Sequence, residues 1–63
     1  MNNIRRVKLV DLRNELEALS HEEEAAFFNL PESLQQAPNG QLIQANYELL
    51  QEVVDTLDGV IGS

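Results

Sequence analysis

Residues 42–61, LIQANYELLQEVVDTLDGVI, decide the fold of this chain. Ile43, Tyr47, Leu50, Val54, Leu57 and Ile61 recur at steps of three and four, the spacing that keeps side chains on one side of an α-helix. A second line, Leu42, Leu49, Val53 and Val60, adjoins the first. A helix paired with one neighbour needs only a narrow apolar seam, whereas this wider face calls for more than one packing partner.

A second stripe lies upstream. Leu9, Leu12, Leu16, Leu19, Glu23, Ala26 and Leu30 follow the same spacing, with Glu23 the weak point. The two stripes predict an all-α chain: an antiparallel helical hairpin with helices at about 4–29 and 40–61. The chain offers only these two long helices, so the missing cover is expected from a second copy, in a four-helix bundle or larger oligomer. The interface expected for that assembly comprises Leu12, Leu16, Leu19, Phe27, Phe28, Leu49, Leu50, Val53, Val54 and Leu57. A collapsed monomer, with the loop folded over the second line, is the competing arrangement.

Size points the same way. Sixty-three residues make a single domain, 1–63. A domain of about this length buries only about 60% of its unfolded surface. Small scaffolds usually need a disulfide, a metal or oligomerisation. There is no Cys and only one His, His21, so association is the expected reinforcement. No apolar run approaches membrane-spanning length and no signal-like core opens the chain, so a cytoplasmic protein without membrane contact is expected.

Several local signals are ambiguous. Residues 4–10 suit either the first helical turns, capped by Asn3, or a short strand; the unbroken register favours helix. Ser20-His21-Glu22-Glu23 matches a capping box that would split the first helix, while Ala26 and Leu30 continue its register and favour one helix. Phe27 and Phe28 cannot both point along one seam, so one is expected to anchor the loop or reach another subunit. Pro31 ends the helix before it, and residues 31–35 suit one short helical turn with Pro31 at its first position. Leu34 is expected to pack on Phe27 or Phe28. Ala37-Pro38-Asn39-Gly40 reads as a turn, with the second helix starting at Asn39 or Gly40.

The net charge of −7 is unevenly spread. Residues 1–13 hold Arg5, Arg6, Lys8 and Arg13 against Asp11, four bases less one acid, or +3; the rest holds ten acids and no Lys or Arg, or −10. An acidic body repels nucleic acid. Only the basic segment suits phosphate, which guanidinium groups bind in bidentate fashion. Copies converging in an oligomer would multiply its charge. Equally, these four cations suit balancing the acids of a neighbouring helix.

No catalytic constellation is visible, so a non-enzymatic protein without cofactor is expected. His21 has no thiol to activate, and Ser20 beside it faces another way. Glu22, Glu23 and Glu24 point in three directions as a solvated or helix-start cluster. Glu48, Glu52 and Asp55 share a face, but di-iron bundles also need a Glu-x-x-His motif, which is missing; no metal is expected. Tyr47 reads as core, with base stacking as its alternative.

Three stretches carry a resemblance: Asn3-Ile4-Arg5-Arg6, the loop Asn29-Leu30-Pro31-Glu32-Ser33-Leu34-Gln35, and the acidic amphipathic helix after Gly40. Together they resemble a family of small bacterial and phage proteins with an Asn-(Leu/Ile/Met)-Pro-Glu-(Ser/Asn)-Leu-Gln loop between two acidic helices. This chain departs from that pattern in a less charged first helix and in Phe27-Phe28. The resemblance implies a phage or mobile-element accessory protein in the cytoplasm of a bacterial host. The family itself implies no activity; by analogy, small proteins in that setting often block host enzymes or defence systems by binding, and some are oligomeric sponges for nucleotide signals. Two functions follow as expectations: an oligomeric inhibitor that binds a host protein, or a sponge that holds a small anionic nucleotide through Arg5, Arg6, Lys8 and Arg13.

Overall fold

A computed structural model describes all 63 residues. It is all-helical and has no strand: α1 spans Asn3–Phe28, α2 Glu32–Gln35 and α3 Pro38–Ile61. The two long helices pack against each other in opposite directions. Arg6 meets Ile61 near one end, and Ser20 meets Tyr47 further along. The Cα extents are 48 × 14 × 12 Å, a layer two helices wide and one helix thick.

Local chemistry sets the ends one or two residues from where the sequence suggested. The Asn2 side chain, not that of Asn3, caps α1, accepting from the Arg5 amide at 2.9 Å. Residues 4–10 are helical, and α1 runs through Ser20 without a break. Ser20 is buried and donates its hydroxyl to the Tyr47 carbonyl at 3.0 Å. It serves as a small residue where α1 and α3 approach closely, not as a cap. Asn29 closes α1, its amide bonding back to the Ala25 carbonyl. Pro31 precedes α2 as its N-cap, one place before the position expected. Pro38 is the first residue of α3, so Pro38-Asn39-Gly40 is a helix start and not a turn. Proline suits that position because the amide it lacks would be unpaired there anyway.

The seam on α3 follows the sequence stripe: Tyr47 and Val54 are buried, while Ile43, Leu50, Leu57 and Ile61 are half-buried. The seam on α1 follows its stripe only at Leu9, Leu16, Glu23 and Leu30. It runs through Arg6, Leu9, Arg13, Leu16, Ser20, Glu23, Phe27 and Leu30, rotated away from Leu12, Leu19 and Ala26. Leu12 and Leu19 are 52% and 50% exposed. Two features hold this rotation. The Phe27 ring meets Tyr47 edge-on at 5.9 Å and Phe28 at 5.2 Å, and small Ser20 lets the backbones close. The apolar core comprises just Phe27, Tyr47 and Val54.

Candidate functional site

The four cations divide into two pairs. Arg6 and Arg13 lie on the seam and are engaged within the chain. The Arg6 guanidinium donates to the Ile61 carbonyl, where a cation is favoured by the last carbonyls of α3 and by its dipole. Arg13 donates through Nε to Asp58 at 2.8 Å and pairs with Glu17 at 2.6 Å. The hydrogen bond to Asp58 is the main cause of a guanidinium pKa held above its usual value. Arg5 and Lys8 are exposed and form no ion pair in the chain. The four groups therefore do not converge on one phosphate-sized point.

The residues expected at an assembly interface also divide. Phe27 and Val54 are buried inside the chain, and Leu16, Leu50 and Leu57 are half-buried on the seam. These five close α1 on α3, so Phe27 and Val54 have no surface to offer a second copy. Leu12, Leu19, Phe28, Leu49 and Val53 are exposed, as are Leu42 and Val60.

Most of this exposed apolar surface is gathered on one face. A groove between the helices is lined by Glu23 of α1 and by Asn46, Leu49, Leu50 and Val53 of α3. Leu19 lies one helical turn before Glu23, beside the groove, and Leu12, two turns before Leu19, continues the same side of α1. Leu42 and Val60 extend the line at either end of α3. The reverse face carries Glu17, Asp55 and Asp58, with Gln51 donating to Asp55 at 3.4 Å. Helical spacing adds Glu24 and Glu48 to it. The helix pair is thus two-sided: one face gathers exposed leucines and valines, with Lys8, Glu15 and Glu22 beside them on α1, and the other gathers the acids around Arg13.

Sequence reading missed the role of Gln35. Its side-chain amide donates to the Phe27 and Leu30 carbonyls at 3.3 and 3.1 Å, satisfying carbonyls at the end of α1. Its own carbonyl accepts from the Gln41 side chain at 2.9 Å. One glutamine therefore ties α1, α2 and α3 together. Pro31 supports it, its carbonyl accepting the Leu34 and Gln35 amides. Leu34 is half-exposed and lines a hollow with Leu30, Ala37, Pro38, Asn39, Gly40 and Ile43, in which neither phenylalanine takes part.

No three metal-ligating side chains converge, and His21 is exposed. No helix is long and apolar enough to cross a membrane. Compared with known protein families, curated proteins and solved structures, the chain matches none.

Proposed function

We propose that this chain is a non-enzymatic interaction protein that associates with itself through its apolar face and offers its acidic face to a protein partner. The observation that carries this reading is the segregation of the two surfaces: Leu12, Leu19, Leu42, Leu49, Val53 and Val60 on one side, Glu17, Glu48, Asp55 and Asp58 on the other. A contiguous exposed apolar face marks an interaction site. A dense acidic face suits a partner with a basic groove, including one that ordinarily holds nucleic acid. The loop resemblance supplies the setting, a phage or mobile-element accessory protein acting on a host protein in the bacterial cytoplasm.

Light scattering at micromolar concentration tests the assembly. The expected mass is at least twice the 7.1 kDa of one chain. Leu49→Glu, at a position 57% exposed and off the internal seam, should return it to one chain while the helices persist. A wild-type monomer at that concentration overturns the reading.

The unpaired Arg5 and Lys8 favour a second reading, the nucleotide sponge. Calorimetric titration with linear and cyclic nucleotides tests it. It requires heat that is lost in an Arg5→Ala, Lys8→Ala variant; silence across the panel removes it.

A further inference from the structure

We infer that the apolar face is covered by a second copy of this chain, related by a two-fold axis perpendicular to the helices, so that α1 lies antiparallel on the partner's α1 and α3 on the partner's α3. The inference deepens the self-association reading above and rests on it. Three observations carry it, and the first is register. On α1 the outward apolar line is centred between Leu12 and Leu19, beside Glu15 and Leu16. On α3 the line Leu42, Leu49, Val53, Val60 is centred on Gln51. A two-fold axis through each centre sets Leu12 on the partner's Leu19, Leu49 on the partner's Val53, and Leu42 on the partner's Val60. One axis serves both helices only if the two centres lie at the same level. The contacts within the chain place them there. Ten residues after Arg6 comes Leu16, and ten before Ile61 comes Gln51. Four before Ser20 is again Leu16, and four after Tyr47 is again Gln51.

The second observation is charge. On the face that holds Leu12 and Leu19, the first half of α1 carries the unpaired Arg5 and Lys8, while its second half carries Glu22 and Glu23. Antiparallel α1 helices set these halves against each other, whereas parallel ones would set like on like. The third is the groove. Glu23 lines it and forms no ion pair within its own chain. In the register given by Leu12 and Leu19, Lys8 of the second copy reaches Glu23. The acids of α3 give no such match: Asp55 and Asp58 lie on the reverse face, and the exposed α3 line is uncharged. Setting α1 on the partner's α3 would therefore leave Lys8 without an acid.

The chain has no cysteine, so single substitutions report cleanly. Leu12→Cys and Leu19→Cys proteins, mixed at micromolar concentration and oxidised, should form the mixed disulfide. Neither should cross-link with itself, because like residues lie about 10 Å apart along the helices, beyond disulfide reach. Charge exchange gives an independent readout. Lys8→Glu should weaken dimerisation about tenfold, since two pairs become repulsive. Adding Glu23→Lys should restore it to within about threefold of wild type. A dimer that instead joins Leu19→Cys to Leu49→Cys, or that Glu23→Lys fails to rescue, overturns this geometry and leaves self-association standing. A monomer in light scattering overturns both.

Discussion

Gly40 and Gly59 sit in the same helix and have opposite requirements. A Cβ on Gly40 would drive into the Leu34 carbonyl and lie 2.6 Å from the Gln35 carbonyl, both main-chain atoms that cannot swing aside. The absence of a side chain at Gly40 is what lets α2 close over the start of α3. A Cβ on Gly59 would meet nothing within 4 Å. Gly40→Ala should therefore destabilise the chain by about 1–3 kcal/mol through overpacking. The corresponding fall in melting temperature is about 10 °C. Gly59→Ala should stabilise it by about 0.5–1 kcal/mol, because alanine loses less backbone entropy than glycine in a helix. Thermal melts of both variants check the pair, and melts that shift in the same direction would contradict the packing described. Gly40 was legible in the sequence only as part of a turn and as a candidate start of the second helix. Its buried contact with α2 depends on a fold-back of the chain that residue spacing does not encode.

At the scale of elements, the stripe of α3 was legible and that of α1 only in part, for one physical reason. Along α3 the strongest apolar residues all fall on the seam or beside it, so any helical reading recovers the face. Along α1 the seam includes Arg6, Arg13 and Ser20, which counting leucines passes over. What sets the α1 rotation is tertiary: the Phe27–Tyr47 edge contact, the Ser20 hydroxyl and the Arg13–Asp58 pair. For the candidate site, the exposed α3 line was visible in the sequence. The division of the cations into two engaged and two unpaired was not, because it depends on where the two helices meet. The loop gives a further test at this scale. Gln35→Ala removes two donated bonds from the end of α1, at about 0.5–1.5 kcal/mol each. Its melting temperature should fall by roughly 5–10 °C. The exposed neighbour should tolerate Gln36→Ala with no measurable change. Equal melting of the two variants would show that the Gln35 amide does not hold the helices together.

The whole molecule is an elongated plate. Its radius of gyration is 14.5 Å, against about 11 Å for a compact chain of this length. A single layer of two helices has no interior beyond its seam, which is why the buried apolar core stops at Phe27, Tyr47 and Val54. Hydrophobic burial is the main term opposing chain entropy, so a plate with so small a core is marginal alone and gains most from covering its open face. In that case the midpoint of unfolding belongs to the assembly, and mass action applies. A hundredfold rise in protein concentration stabilises a dimer by about 2.7 kcal/mol. The melting temperature should then rise by about 10 °C between 1 and 100 times a low-micromolar concentration. Leu49→Glu, which leaves Phe27, Tyr47 and Val54 in place, should melt lower and at the same temperature at both concentrations. A wild-type midpoint that does not move with concentration would mean that the plate stands by itself, its stability supplied by the seam and the loop alone.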